Sequence, residues 1–441
     1  MIGLAGTAAF AYLLAWMLNR RLAWLNRLLL PPSLLAGAAL LLLGPQVSGA
    51  FGKEIVPIEY YNSYRVWPGI LISFLFSGMI LEPASRRAKT GLAVISQSLY
   101  VWFIAFVQLA WGYTVVLLLT VDPHERLFAH TIELSFLGGH GAASAFYAVA
   151  ERLGNRAAAD LSVAAATVGI LWGLAAGLML AAFHRRHNQY GVGLFLDRYS
   201  SADSESKADG GENTASQQVT VPSKERSEEE QSFLLSFVIP VIPVFLAYLL
   251  VEALSILLPA IQELPLFFFV IIIAHLLKKV FQSMLSVTAV RTFHRLALEA
   301  LILSAVATVS LQTIEDHAGL LLALCGGAAL ISVLLHLFAA PRLTPEYPDL
   351  ALINFGMSTG TTAVGLALLR SLRQSLPVRP VQVYGLAAPF SGPFIGGGIL
   401  SLLLFPELSI QLPPEVMLVV MSGLSAIIVA LLLLLKRLQS E

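Results

Sequence analysis

Two short strings in this chain combine residue types able to do chemistry in an apolar setting. The first is LGGHG, Leu137–Gly141. Gly138, Gly139, His140 and Gly141 follow an apolar stretch and precede a helical-looking segment, Ala142–Leu153, which carries Ser144. A helix starting there leaves backbone N–H groups free to attract an anion such as a carboxylate, and carbonyls freed on the other side of the break could hold sodium. A glycine hinge with one hydrogen-bonded histidine fits the same letters equally well. The second string is STGTT, Ser358–Thr362. Ser358, Thr359, Thr361 and Thr362 supply hydroxyl oxygens suited to a hard, weakly charged cation. Gly356 and Gly360 break up the stretch, and Asn354 lies just upstream. Hydroxyls in membrane helices also satisfy their own backbone carbonyls, but four in five residues exceed what packing needs.

Other candidates are single residues. Ser77 in LFSGM and Thr308 in AVATVS occupy comparable places in two apolar runs and could face the same site. Glu133 and Glu299 are acids in apolar runs, where an acid is a functional candidate by default. Glu299 lies four residues after Arg295, which suggests a helix-surface ion pair; Glu133 lies six residues before Gly139, near the mouth of a hairpin. His275, His294, His317 and His336 are scattered. No HExxH, GxSxG or GxxxxGK[ST] string occurs, which argues against a metalloprotease, a hydrolase and an ATP-driven pump. No enzyme activity and no organic cofactor are expected.

The elements that position these residues follow from composition. Of 441 residues, 57% are hydrophobic and 12% charged, against roughly 25% charged in soluble domains. The 27 basic and 27 acidic residues cannot coat a soluble core of this size, and their zero balance offers nucleic acid nothing. This is the composition of an all-α polytopic membrane protein embedded in the lipid bilayer. The single cysteine, Cys325, excludes an intrachain disulfide. Residues 1–19 carry no charged side chain and Arg20 and Arg21 follow them, the reverse of a signal peptide, so Met1–Leu18 reads as a retained span.

Apolar runs recur at Ile2–Leu18, Leu28–Leu43, Val66–Leu81, Leu92–Leu119, Leu127–Ala150 and Leu161–Phe183. A segment rich in Ser, Glu, Asp, Gln, Lys and Gly occupies residues 184–231 and reads as a disordered linker. The runs resume at Phe233–Leu258, Leu264–Leu277, Leu296–Leu311, Leu320–Ala340, Leu350–Leu369 and Val383–Phe405, and Val416–Leu435 is extra. The organisation expected is an N-terminal repeat over 1–183, the linker, a C-terminal repeat over 232–408 and a further helix over 414–435. The runs holding the two motifs, Leu127–Ala150 and Leu350–Leu369, are poor continuous helices. They read as re-entrant hairpins, tolerated where protein or a watery cavity surrounds the backbone. With the N-terminus outside, that arrangement places eighteen Lys and Arg in inside connectors and five outside: Lys53, Arg65, Arg126, Arg152 and Arg156. The linker and C-terminus are then cytoplasmic. A full crossing by Leu127–Ala150 would put Arg185 and Arg186 outside; a broken helix that still crosses is the structural rival.

Five crossings per half is an odd number, so the second half enters from the opposite side and the repeats are inverted. GHGAASA at Gly139–Ala145 aligns with STGTTAV at Ser358–Val364, and Gly169 and Gly173 sit near-equivalent to Gly392 and Gly396. Gly169, Gly173 and Gly177 recur every four residues on one helix face, where small residues let a neighbouring helix approach closely.

At these residues the chain resembles the bacterial glutamate:sodium symporter family. The matching stretches are PPSLLAG (Pro31–Gly37), ISFLFSGMILEPASRRAKTG (Ile72–Gly91), GGHG through AERLGNRAAADLSVAAATVGILWGLAAG (Gly138–Gly177) and NFGMSTGTTAVGLALL (Asn354–Leu369). The resemblance implies an inverted-repeat fold with two re-entrant segments and a homodimer in the inner (plasma) membrane. It also implies elevator-like alternating access and sodium-coupled uptake of glutamate or a related carboxylate, with Na+ as the coupling ion. By position, Gly138, Gly139, His140 and Gly141 fall on the first family motif, and Gly356, Ser358, Gly360, Thr361 and Thr362 on the second. The chain departs from the family pattern at Leu137, where a small polar residue is usual, at Ser358 in place of glycine and at Thr361 in place of proline. These departures lie where selectivity would be set. Two other readings compete: a cation exchanger or channel without organic substrate, and a receptor or scaffold signalling through the acidic DSESKADGGE and SEEE stretches of the linker.

Overall fold

The computed structural model of the chain describes residues 2–22, 31–49, 55–82, 91–120, 122–186, 233–256, 266–281, 284–345, 347–372 and 377–440. Among them there are helices and no strands. The linker expected over 184–231 lies outside the described residues beyond 186; residues 184–186 end a helix. The N-terminal portion comprises α1 (Ile2–Arg21), α2 (Pro32–Leu43), α3 (Ile58–Leu81), α4 (Leu92–Leu119), α5 (Gly139–Arg152) and α6 (Arg156–Arg186). After the linker come α7 (Val241–Ser255), α8 (Leu266–Phe281), α9 (Val287–Ala307), α10 (Leu311–Asp316), α11 (Ala318–Leu334) and α12 (Ala340–Leu343). The chain ends with α13 (Asp349–Met357), α14 (Thr362–Leu372), α15 (Val378–Ala387), α16 (Phe405–Gln411) and α17 (Pro414–Ser440).

Among the described residues, six helical stretches are long and apolar enough to cross a bilayer: Ile58–Leu81, Leu92–Leu119, Arg156–His184, Phe233–Ser255, Ala318–Leu343 and Pro414–Arg437. The other runs are shorter or interrupted. At 12 residues, α2 rises only about 18 Å. It starts where Pro31 and Pro32 preset the first helical turn. The run Val383–Phe405, expected as one span, is instead α15, a 3-10 turn over Ala388–Phe390, an irregular segment over 391–398 and a π turn over Leu400–Leu404. Its SGPFIGGG string explains the break: proline removes a backbone donor, and Gly396 (φ 64°) and Gly397 (φ 90°) take the left-handed backbone that glycine tolerates. The run Leu296–Leu311 likewise breaks after Ala307, with Ser310 capping α10 through the Thr313 N–H.

Packing divides the helices into two groups. Leu4, Ala8, Ala11 and Ala15 of α1 bury against Ala36 and Leu40 of α2, Tyr64 of α3 and Leu303 of α9. Leu81 of α3 meets Ala274 of α8 and Val290 of α9, while Val244 and Ala247 of α7 meet Phe269 and Val270 of α8. The second group surrounds α4, whose Tyr100, Phe103, Phe106, Leu109 and Tyr113 are buried. Along it lies α17, with Met417, Met421, Ile428 and Leu432 buried on one face and Val419, Ile427 and Leu434 exposed on the other. Lipid is as apolar as a leucine side chain, so these contacts hold by close packing rather than by escape from water. Small residues permit it: a Cβ on Gly37 would lie 2.7 Å from Val306 Cβ. The two groups meet mainly where α5 lies against α3 and α9.

Candidate functional site

The first motif sits where a helix fails and restarts. From Pro123 the chain winds as a 3-10 turn to His130, then as a π turn over Glu133–Leu137. Gly138 donates its N–H to the Glu133 carbonyl at 3.1 Å, and Gly139, the first residue of α5, turns the backbone at φ 65°. A β-carbon on Gly138 would lie 2.7 Å from the Leu134 carbonyl oxygen and 2.8 Å from that of Gly396. His140 and Ser144 are buried in α5. His140 Nε2 bonds Thr167 Oγ1 at 3.0 Å, whereas His140 Nδ1 and the Ser144 hydroxyl have no partner. Gly141 faces Leu298 of α9. At the other ends of these arms, Arg126 donates to the Ile410 and Leu412 carbonyls at 3.3 Å, and Arg152 pairs with Glu407. Both ends of the segment therefore meet the same short stretch around α16.

The second motif is the turn between α13 and α14. These helices pack back to back, with Gly356 against the Gly365 backbone and Gly365 against the Ile353 carbonyl. The tip hydroxyls have mixed uses. Ser358 and Thr359 return theirs to the Phe355 carbonyl at 3.1 and 2.8 Å, the self-satisfying use open to any such residue. Thr361 caps α14 by accepting the Val364 N–H at 3.3 Å. Thr362 shares a 2.6 Å hydrogen bond with the Tyr384 hydroxyl. Asn354 is locked to Gln97 of α4 by two amide hydrogen bonds, 2.6 and 3.1 Å. Gln108 of α4 donates to the Ser358 carbonyl at 2.8 Å.

The two breaks meet. A Cβ on Gly139 would lie 2.7 Å from the Gly360 carbonyl oxygen and 3.6 Å from Thr361 Cγ2. Gly169 and Gly173 of α6 face Thr359, and Gly177 faces Leu368 of α14, so the four-residue glycine spacing seats the second hairpin against α6. The segment 391–398 closes the third side: Gly396 approaches Leu137 and Gly138, and Gly397 approaches Ala142. Gly396 thus does not share the local structure of Gly173, its near-equivalent by offset, because one lies in unwound chain and the other in a continuous helix.

Beside this junction is a cavity of about 210 Å³. Its polar walls are Gln97, Thr362, Tyr384 and Ser391 with the Gly392 and Gly396 backbone; Leu137 and Met357 line it from either side, and no charged side chain faces it among the described residues. Glu133 stands behind this wall, fully buried, with Oε1 accepting from the Gly396 N–H at 2.5 Å and from the Ser401 hydroxyl at 2.6 Å.

Ser77 and Thr308 are not brought to the junction. Ser77 donates to the Pro240 carbonyl at 2.6 Å, between α3 and the helix leading into α7. Thr308 bonds its own helix at Ser304 and receives Arg156, beyond the far end of α5. The Arg295–Glu299 ion pair does not form: Arg295 is exposed, while Glu299 Oε2 is buried without a partner. Sequence reasoning passed over Gln97 and Gln108, although amides eleven residues apart in an apolar run fall on one helix face. It also passed over Tyr384, Ser391 and Ser401, for which the Gly- and Pro-dense SGPFIGGG string was the available signal.

The profile of the sodium/glutamate symporter family matches residues 4–366. That range contains both breaks and ends within α14, so the segment 391–398 and α17 lie beyond it. No curated protein and no solved structure matches the chain. The family profile covers well over half of the sequence and includes the glycine-broken segment and the hydroxyl-rich hairpin described above, so the chain belongs to the sodium/glutamate symporter family.

Proposed function

We propose that this protein imports glutamate or a related small carboxylate together with Na+, binding both where the two broken segments meet. The observation that carries this reading is the contact of Gly139 with the Gly360 carbonyl beside a cavity reached by Thr362, Tyr384 and Gly396. Apart from the Val364 and Gly365 N–H groups, which Thr361 accepts, the first N–H groups of α5 and α14 have no intrahelical acceptor. They offer a carboxylate hydrogen bonds and the positive ends of two helix dipoles without a cationic side chain. The hydroxyls of Thr362, Tyr384 and Ser391 orient the rest of the substrate. Unwound backbone carbonyls at the same breaks suit Na+.

The hairpins read as re-entrant. Support comes from Arg126 and Arg152, which bring both ends of the first segment to α16, and from the back-to-back packing of α13 on α14. The grouping of α1–α3 with α7–α9 draws the first three helices of each half into one body, as inverted repeats over 1–183 and 232–408 would. In an elevator-like cycle the body holding both tips moves past the other, with α5 at the sliding face. Na+ orders the tips first, and the carboxylate then bridges them. The N-terminus lies outside and the linker and C-terminus in the cytoplasm of a plasma-membrane homodimer. Cation exchange without an organic substrate is the second reading, and Glu133 beside the cavity is the observation that favours it.

Equilibrium binding of labelled L-glutamate to the purified chain tests the site. Saturable binding in NaCl, absent in KCl and lost in Thr362→Phe, is the expected result. Binding indifferent to the cation, or unchanged in Thr362→Phe, would remove the assignment.

A further inference from the structure

Glu133 has a geometry that holding the fold together does not require. It begins the π turn Glu133–Leu137, and its partner Ser401 sits in a second π turn, Leu400–Leu404. Such turns are rare insertions that re-aim side chains and recur at functional sites. One carboxylate oxygen is held firmly, by the Gly396 N–H and the Ser401 hydroxyl. The other, Oε2, is buried and has no partner. No ion pair among the described residues includes Glu133.

A buried carboxylate without a counter-charge is strongly unfavourable. A proton on Oε2 would cancel the charge but, with the backbone as it stands, leave a buried O–H with no acceptor, whereas a cation draws several oxygens to itself at once. A metal cation on Oε2 removes both deficits. Neutral oxygens stand close by: the Gly396 carbonyl faces Gly138, and Gly397 carries a further backbone carbonyl, while that of Gly398 accepts from the Leu402 N–H.

We infer that Glu133 Oε2 is the anionic ligand of the co-transported Na+, bound between the first break and the segment 391–398. The inference rests on the symport reading and gives it a physical link. Gly396 donates to Glu133 on one side and lines the cavity on the other, so a cation that fixes the Glu133 carboxylate also fixes a wall of the carboxylate site. Gly396 and Ser401 lie beyond the range of the family match, so this pairing is read from the fold alone.

The test is the melting temperature of the full-length purified chain across a NaCl titration, with choline chloride holding ionic strength constant. Wild type should be stabilised by Na+ with a measurable midpoint. In Glu133→Gln, which keeps the shape and removes the charge, that midpoint should rise by about tenfold or more, or the response vanish. Glu133→Asp keeps the charge but draws it back by one methylene; it should show an intermediate midpoint, and it decides the matter if the Gln variant does not fold. A midpoint within about twofold of wild type in either folded variant overturns the Glu133 assignment and leaves the symport reading standing. A wild-type chain that Na+ neither stabilises nor drives in uptake defeats the symport reading itself, and this inference with it.

Discussion

The contact between the two breaks can be isolated with a pair of glycine substitutions that share one strain and differ in one neighbour. Gly139 (φ 65°) and Gly154 (φ 78°) both hold left-handed backbone, at the start of α5 and just after its end. Forcing a β-carbon into that conformation costs about 1–2 kcal/mol at either position. A Cβ on Gly154 meets nothing within 4 Å, so Gly154→Ala should cost only that strain. A Cβ on Gly139 would lie 2.7 Å from the Gly360 carbonyl oxygen, which must retreat by about 0.7 Å to reach ordinary contact. Overpacking of this kind adds about 1–3 kcal/mol. The displacement falls between the two surfaces proposed to grip the substrate, where a misplacement near 1 Å can cost about 10²-fold in function. In NaCl, binding of labelled L-glutamate should therefore weaken by about 10- to 100-fold in Gly139→Ala and stay within about twofold of wild type in Gly154→Ala. Equal affinities in the two variants would refute the reasoning, because strain alone would then explain whatever loss is seen.

Three further outcomes follow from the same geometry. Replacing Gly173 with leucine drives a side chain into Thr359 and lifts the second hairpin off α6; uptake should vanish while the protein still reaches the membrane, scored by fractionation alongside transport. The Gln97–Asn354 pair should show a coupling energy of about 0.5–3 kcal/mol in a double-mutant cycle of Gln97→Leu and Asn354→Leu, read by thermal unfolding, since each single change strands a buried amide. Deleting residues 201–230 should leave uptake intact; loss of uptake would return a functional role to the acidic linker.

The amino-acid sequence discloses the class of this fold more readily than its junctions. Charge scarcity and recurrent apolar runs identify a helical membrane protein because lipid allows so few alternatives. The LGGHG and STGTT strings mark two breaks because glycine and hydroxyl density opposes a continuous helix. What brings Gly139 to Gly360 is tertiary: three glycines on α6 that accept the second hairpin, and two glutamines on α4, one paired with the Asn354 side-chain amide and the other bonded to the Ser358 carbonyl. The third irregular segment lies hidden inside an apolar run whose mean character suggests a plain span. Its proline and glycines act through backbone conformation rather than hydropathy. The four hydroxyls of STGTT look alike in sequence, yet two bond their own helix, one caps the next and one reaches the cavity, because the turn aims each differently. Ser77 and Thr308 were paired by position within their runs, and run position does not convey distance from the junction.

Transport itself is measured most directly by uptake of labelled L-glutamate into proteoliposomes under an inward Na+ gradient, with K+ in its place as the comparison. Concentrative uptake that requires the Na+ gradient, and that Gly141→Phe and Thr362→Phe both abolish, is the predicted result. Uptake that is the same in either cation, or that persists in both variants, would contradict Na+-coupled transport through the meeting point of the two breaks.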